Sequence, residues 1–296
     1  MHRIVRTDFS SWSPQVGADE SRALAVELEL GKVIHLWHLP FTIAADERRY
    51  LDPLWLSGTH KSISFDPTRA QVDASLRGAR GAPADLVAVA SMIGRFRHCA
   101  TMLVRVLFPA YAADLRPAPT SLRLGDVETY KLSWRKDDTL LHVDAFPSRP
   151  NRGERILRVF TNVNPHGAAR TWKLGDLFEE SAREFLPRVP APMPGSASLL
   201  RFLRLTKSRR SRYDHIMLSI HDRMKQDREY QERASHLVYS FPSGSTWICF
   251  SDQTTHAALS GQYLLEQTFH LPLDALYFPE RAPLKVLERL SGGRLV

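Results

Sequence analysis

Two residues that can bind a metal ion, His142 and Asp144, alternate with apolar residues in the stretch LLHVDAF. Side chains two positions apart on a β-strand point to the same face, so we expect these two side chains to converge. An imidazole and a carboxylate on one face supply two of the three protein ligands of a mononuclear iron oxygenase site. A half-buried strand with a polar face would show the same pattern, and the pair alone does not separate the two interpretations.

A third ligand has to come from a distant part of the chain, and His256 is the best candidate. It follows the strand-like segment STWICF and the polar loop SDQTTH, although an ordinary loop histidine would fit there too. His215 and His221 lie on a charged helical segment and are expected to be solvated, while His270 ends an apolar strand. Zinc is less favoured than iron because the chain has no H-E-x-x-H helix.

An oxygenase of this type consumes 2-oxoglutarate and dioxygen, and a basic residue must bind the distal carboxylate of the 2-oxo acid. No arginine follows His256 in HAALSGQYLLEQTF, where many such enzymes have one. Arg158, on the strand-like segment RILRVFTNVN, is therefore the first candidate. Tyr130 and Gln267 are lesser candidates for the same cofactor. A surface position on an edge strand is the alternative for Arg158.

Hydrophobic periodicity predicts the elements that must position these residues. Pro83 to Phe108 has the three-four spacing of an amphipathic helix. AADERRYLD is expected to form a short helix, and KVIHLW and KSISFD short strands. SLRLGDVETYKLSW and TLLHVDAF are expected to pair as a hairpin. These patterns predict an α+β protein, with an antiparallel double-sheet barrel and helices packed outside it.

The length and composition fit one oxygenase domain over residues 1–296, because 43% of the residues are hydrophobic. Its predicted parts are a mostly helical N-terminal support (1–120), barrel strands (121–175 and 235–275) and a helical insert (176–234).

Charge and cysteine content limit the possible partners and location. Lys and Arg number 40 against 32 Asp and Glu, which gives a net charge of +8. This excess favours an anionic partner, such as nucleic acid, an acidic membrane surface, a phosphate or a charged glycolipid. The two cysteines indicate no disulfide framework, and no apolar segment has the length of a membrane span. We expect a cytoplasmic protein, soluble or peripherally bound.

Three segments resemble the bacterial Kdo hydroxylases, which are Fe(II)/2-oxoglutarate-dependent dioxygenases of Gram-negative lipopolysaccharide synthesis. They are KSISFDP, LHVDAFPSRPNRGERILRVFTNVNP and FPSGSTWICFSDQTTHAALSGQYLLEQTF, and the resemblance spans nearly the whole chain. It implies a double-stranded β-helix (jelly-roll, cupin-like) core with His142, Asp144 and His256 on Fe(II). It also implies hydroxylation of carbon 3 of the outer Kdo sugar of Kdo-lipid A, which yields Ko.

An anionic, lipid-linked substrate gives two basic regions a possible role. Arg149 and Arg152 follow the H-x-D stretch, where a guanidinium at the mouth of the site can bind a carboxylate in a bidentate manner. A solvated loop is an equally good interpretation of these two residues. The segment 198–212, SLLRFLRLTKSRRSR, combines six basic residues with leucine and phenylalanine. It favours contact with the anionic inner membrane, although a solvated helix face is the commoner meaning of such a pattern.

Two rival functions are compatible with parts of the sequence. A 2-oxoglutarate oxygenase acting on a protein side chain or a small metabolite would have the same iron ligands. A non-enzymatic nucleic-acid-binding protein would use the basic segment. The chain has no helix-turn-helix, zinc-finger or RNP-type pattern, and we therefore expect no nucleic-acid partner.

Overall fold

Two β-sheets form the centre of the protein in a computed structural model that describes residues 3–69, 75–128, 133–193 and 195–296. The strands are β1 (Ile4–Thr7), β2 (Val33–Leu36), β3 (Ser62–Phe65), β4 (Leu76–Arg77), β5 (Arg116–Arg123), β6 (Arg155–Asn162), β7 (Arg170–Leu174), β8 (Leu237–Phe241), β9 (Thr246–Phe250), β10 (His256–Ser260) and β11 (Leu264–Leu271). The large sheet has the order β1-β2-β9-β6-β11-β5-β3-β4, and the small sheet has the order β10-β7-β8. A large and a small sheet plus helices fit the predicted α+β jelly-roll core.

Helices surround these sheets. They are α1 (Ala18–Glu29), α2 (Pro83–Leu107), α3 (Phe178–Phe185), α4 (Ser196–Phe202), α5 (Arg212–Gln226), α6 (Arg228–Arg233) and α7 (Pro283–Ser291). The apolar face of α2, including Ile93, Phe96 and Leu103, is buried in the same core as Leu122 and Leu265 of the large sheet. This burial explains the three-four spacing of its apolar residues. Helices α3 to α6 form the insert between β7 and β8.

A cluster of aromatic side chains is buried between the two sheets. Phe160 and Trp247 come from the large sheet, and Trp172 and Phe241 come from the small sheet. Side chains on a strand alternate between faces, so each of these strands turns its aromatic residues to one face and the residues between them to the other, and on β6 and β9 both faces are buried. The cluster holds the two sheets face to face directly behind the predicted metal ligands.

Several predicted elements are confirmed. The helix that begins at Pro83 ends at Leu107, and the segments KVIHLW and KSISFD contain β2 and β3. The N-terminal part is less helical than predicted, because β1 to β4 all come from it and extend the large sheet.

Two local predictions are wrong. The segment AADERRYLD contains only a 3-10 turn at Arg48–Tyr50. The predicted hairpin does not form among the described residues, which leave out 129–132, because β5 pairs with β3 and β11, whereas His142 makes an isolated bridge with His256. Both partners of β5 lie far from it in the sequence, and a local pattern does not encode such pairing.

Candidate metal centre and its cavity

Backbone pairing brings the three predicted ligands together. The amide of His142 donates to the carbonyl of His256 (3.0 Å), and the amide of His256 donates to the carbonyl of His142 (2.9 Å). The amide of Asp144 donates to the carbonyl of Ser251 (2.8 Å). The H-x-D stretch is thereby fixed antiparallel to the start of β10. One ligand atom of each of the three buried side chains lies within 4.8 Å of those of the other two.

Each histidine has one ring nitrogen fixed by a backbone carbonyl. Nδ1 of His142 lies 2.7 Å from the carbonyl oxygen of Leu140, and Nδ1 of His256 lies 2.8 Å from that of Thr254. A proton on Nδ1 satisfies both carbonyls and leaves the Nε2 lone pairs for a metal, which is the usual outer arrangement of metal-binding histidines. Burial, followed for His142 by the proximity of His256, lowers the pKa of both imidazoles and favours their neutral form.

Arg158 keeps the carboxylate of Asp144 ionised. Burial is the largest single effect and would raise the pKa of Asp144, but the guanidinium of Arg158, together with His256, His142 and a hydrogen bond from Ser251, holds it well below its usual range. The Nε atom of Arg158 lies 3.2 Å from Oδ2 of Asp144. This contact lacks hydrogen-bond alignment, so Oδ2 has no hydrogen-bond partner among the described residues. Two neutral imidazoles and a buried carboxylate with an unpartnered oxygen fit a divalent iron ion.

The other predicted cofactor residues lie in different places. Arg158 is buried on β6 and also binds Glu266 of β11, with Nη1 3.0 Å from Oε1. Gln267 lies on the opposite face of β11 from Glu266 and is hydrogen-bonded to Thr120 and to the carbonyl of Ala118. It does not line the cavity beside the metal ligands.

Tyr130 lies outside the described residues. The two predicted substrate arginines lie beyond the cavity wall, which includes Pro147 but neither of them. Arg149 is half-buried. Arg152 is exposed with a φ of 52°, and its amide donates to Asp214.

A cavity of about 610 Å³ opens directly in front of the three predicted ligands. Its wall is rich in basic side chains. Those that sequence reasoning had not assigned to the site are Lys61, Arg123, Arg135, Lys136, Arg170 and Lys225. Asp138 neutralises part of this charge, because it pairs with Lys61 and lies 3.1 Å from Arg123.

Two of these basic residues are buried without a carboxylate partner among the described residues. Arg170 on β7 is only 3% exposed, and its guanidinium donates to the carbonyl of Gly261 (3.1 Å). Burial and the neighbouring Arg123 lower the pKa of Arg170 to about 10. Lys225 on α5 is 4% exposed and donates to the carbonyl of Arg135 (3.1 Å). Because an uncompensated buried cation is costly, both positions are suited to receive an anion.

His221 also faces the cavity, and the prediction that it is solvated is wrong. Its Nδ1 atom lies 2.8 Å from the carbonyl of Val143, and its ring centroid lies 5.1 Å from that of His142. The many charged residues of α5 led to the prediction that His221 is solvated, but the helix turns one of its polar faces to the cavity rather than to solvent. The i, i+4 spacing of His221 and Lys225 was the available signal, because these residues lie on one face of a helix.

Comparison with known proteins gives a consistent result. The family model of 3-deoxy-D-manno-oct-2-ulosonic acid (Kdo) hydroxylase matches residues 11–294. The structure is similar to crystal structures of the Kdo hydroxylase KdoO, described as a non-heme Fe(II) alpha-ketoglutarate-dependent dioxygenase. The complex with alpha-ketoglutarate and Fe(III) is 42% identical, with coverage of 100% of this chain and 98% of that chain and a TM-score of 0.95. The cobalt(II) complex has the same identity and coverage and a TM-score of 0.96. No curated protein sequence matches the chain.

Proposed function

The chain belongs to the Kdo hydroxylase family, and we propose that it hydroxylates carbon 3 of the outer Kdo of Kdo-lipid A to give Ko. Its reaction class is that of an Fe(II)/2-oxoglutarate-dependent dioxygenase. The observation that carries this proposal is the buried cluster of His142, Asp144 and His256 at the cavity of a chain that matches the family from residue 11 to residue 294. The family assignment favours this reaction over the rival oxygenase and nucleic-acid functions.

The metal and its cosubstrates supply the chemistry, and the chain supplies position and charge. Iron, 2-oxoglutarate and dioxygen together provide the oxidation that converts a C–H bond into a C–OH bond. His142 and His256 offer their Nε2 atoms to the metal because their Nδ1 atoms are held by backbone carbonyls. Arg158 holds Asp144 ionised and fixes its orientation.

We assign the distal carboxylate of 2-oxoglutarate to Arg170 rather than to Arg158. Arg158 lies at ion-pair distance from two carboxylates, those of Asp144 and Glu266. Arg170 lines the same cavity, is equally buried and has no carboxylate within ion-pair distance among the described residues. A bound carboxylate would compensate its charge and use the unpartnered Nε–H group.

The sugar is proposed to enter the cavity while lipid A stays outside. A volume of about 610 Å³ is within the range of small-molecule sites and suits one sugar together with a 2-oxo acid. Lys225 from α5 offers a buried positive charge to the sugar carboxylate, and Arg135 and Lys136 add charge to the wall. Arg149 and Arg152 remain candidates for anionic groups farther from the metal.

The segment 198–212 is proposed to contact the membrane that holds the substrate. Phe202, Leu203 and Leu205 are exposed by 83%, 53% and 59%. The segment is bonded to the loop at the cavity wall, because Arg210 donates to the carbonyl of Pro147 (2.6 Å). Exposed apolar side chains among basic residues suit the surface of an anionic leaflet. No helix of the described residues is long and apolar enough to cross a bilayer.

Anaerobic titration tests the proposed cofactor chemistry. Fe(II) added together with 2-oxoglutarate should give the visible absorption of a chelated 2-oxo acid, which Fe(II) alone does not give. His256→Ala should lose this absorption and retain the thermal transition of the metal-free protein. Equal absorption from wild type and His256→Ala would remove His256 from the proposed ligands.

A further inference from the structure

We propose that an aromatic relay carries oxidising equivalents from the metal centre to the surface when no sugar is bound. Trp172, which contacts His256, and Tyr239, which lies near the surface, are the residues that are oxidised. The ring of Phe241 lies between them, and His35 accepts the phenol proton of Tyr239. The proposal rests on the proposed oxygenase function. An oxygenase that reacts without substrate must dispose of a strong oxidant, and the closest oxidisable side chain is otherwise damaged.

The inner end of the relay is in contact with a proposed metal ligand. The indole of Trp172 stacks on the ring of His256, with centroids 4.9 Å apart and planes 21° apart. Its Nε1 atom is buried and has no hydrogen-bond partner among the described residues. An oxidised indole there has no hydrogen-bond partner at Nε1 to take its proton, so it stays a cation that can take an electron from Tyr239, the next oxidisable residue of the relay, across the ring of Phe241.

The middle of the relay crosses from β7 to β8. Strand register places Trp172 directly opposite Tyr239. The ring of Phe241 bridges the two, because its centroid lies 5.6 Å from that of Trp172 and 5.0 Å from that of Tyr239. Phe241 is also stacked on Trp247, 4.1 Å away. Aromatic contact is therefore continuous from the ligand to the tyrosine.

The outer end has a built proton acceptor. A tyrosine is readily oxidised only if its phenol proton can leave. The phenol oxygen of Tyr239 accepts from Nε of Arg6 (2.9 Å) and lies 2.9 Å from Nδ1 of His35. Because arginine only donates, the tautomer of His35 that is protonated at Nε2 leaves Nδ1 free to accept the phenol proton. Burial and the charge of Arg6 lower the pKa of His35 to about 4, so the imidazole is neutral before the transfer and, as a weak base, readily returns the proton afterwards.

This end of the relay reaches solvent. Tyr239 and Trp37 are half-buried, and Arg6 is exposed. The guanidinium of Arg6 covers both rings, at 4.9 Å from the centroid of Trp37 and 5.5 Å from that of Tyr239. A small one-electron reductant of the ascorbate class can therefore donate to Tyr239 from outside the protein.

The electron balance is complete with such a reductant. One 2-oxoglutarate and one dioxygen give succinate, carbon dioxide and one oxygen atom at the level of a two-electron oxidant. Without a C–H bond to attack, that atom takes up two electrons from the reductant and two protons from solvent and becomes water, and two molecules of the reductant return two protons to solvent as each loses one electron. Each electron passes from Tyr239 to Trp172 across the ring of Phe241, and the phenol proton moves to His35. The proton returns to Tyr239 when the reductant reduces the tyrosyl radical.

Freeze-quench electron paramagnetic resonance on the Fe(II)-loaded enzyme tests the relay. The enzyme is mixed with 2-oxoglutarate and dioxygen without Kdo-lipid A, and succinate is measured in the same samples. Wild type should give a tyrosyl radical signal that ascorbate removes. Tyr239→Phe keeps the ring and should lose the signal, whereas Tyr230→Phe, a buried tyrosine of the helical insert, should retain it. Peptide mass spectrometry of Tyr239→Phe should show oxidation moved to Trp172 and the metal ligands.

The outcomes separate this inference from the proposed function. Wild type that forms succinate with Kdo-lipid A but none without it would overturn the relay alone, and wild type that forms none under either condition would overturn the proposed function as well. Succinate formation with the same radical signal in wild type and Tyr239→Phe would overturn the relay alone. The same conclusion would follow if wild type formed succinate but showed neither a tyrosyl signal nor oxidation at Tyr239.

Discussion

The residues of the candidate metal centre form two groups. One group has side chains that can bind the metal, and the other holds those side chains in place. His142, Asp144 and His256 meet the ligand requirements, and Leu140, Thr254 and Arg158 fix them. The sequence predicted that these three side chains come together, because the H-x-D spacing aims two of them at one point. It did not predict the holding groups, since two of them act through backbone carbonyls, which every residue type has.

Arg170→Gln tests the assignment of the distal carboxylate. Loss of a charge-assisted contact worth roughly 1.5–3 kcal/mol should raise the KM for 2-oxoglutarate about ten- to a hundredfold. Affinity for Fe(II) should change little, because Arg170 does not contact the three ligands. Steady-state succinate formation measures KM, and Arg183→Gln on the exposed face of α3 is the matched control. An unaltered KM would return the assignment to Arg158.

Arg158→Gln should act on the metal instead. Without the guanidinium, Asp144 loses the largest of the effects that oppose the rise of its pKa on burial, and its orientation is no longer fixed. Loss of such an outer partner typically costs about ten- to a hundredfold in metal affinity. Calorimetric titration with cobalt(II) measures this under air. Wild-type cobalt affinity together with a raised KM for 2-oxoglutarate would support the original sequence prediction for Arg158.

Helices and strands were predictable from the sequence where the local spacing of apolar residues determines them. Helix α2 and strands β6 to β11 follow apolar periodicity, whereas the pairing of β5 with β3 and β11 depends on distant partners. Arg170 and Lys225 escaped prediction for the same reason. Their sequences resemble those of solvated residues, and only the packing of the small sheet and of α5 turns these side chains into the cavity.

The basic segment 198–212 gives a prediction at this scale. Binding to vesicles that contain anionic lipid should fall as salt rises, because each basic residue near the surface is worth about 1 kcal/mol and salt screens it. Neutral vesicles should bind poorly. Replacement of Arg201, Arg204, Arg209 and Arg210 by Ser should reduce vesicle binding, as measured by co-sedimentation.

A charge-matched control separates this surface from general electrostatics. Replacement of four exposed arginines elsewhere, Arg48, Arg105, Arg228 and Arg294, by Ser removes the same charge. That variant should bind anionic vesicles nearly as well as wild type. Equal loss in both variants would mean that net charge alone drives binding and that the segment has no special role.

The molecule as a whole joins a buried cluster of candidate metal ligands, a basic cavity and an exposed apolar segment on the cavity side. The cavity is large enough for a sugar but not for lipid A. The net charge of +8 suits an anionic substrate at an anionic surface. Composition alone left nucleic acid as an equal partner, and it was the family match over residues 11–294 that favoured the sugar.

Mass spectrometry of Kdo-lipid A after incubation with the enzyme tests the central claim most directly. With Fe(II), 2-oxoglutarate and dioxygen, the wild type should add one oxygen atom to the outer Kdo and form one succinate for each product. Omission of 2-oxoglutarate, or the substitution His256→Ala in a folded protein, should leave the lipid unchanged. The account would be contradicted if wild-type enzyme converted 2-oxoglutarate to succinate but left the lipid unchanged. It would also be contradicted if His256→Ala hydroxylated the lipid as well as wild type does.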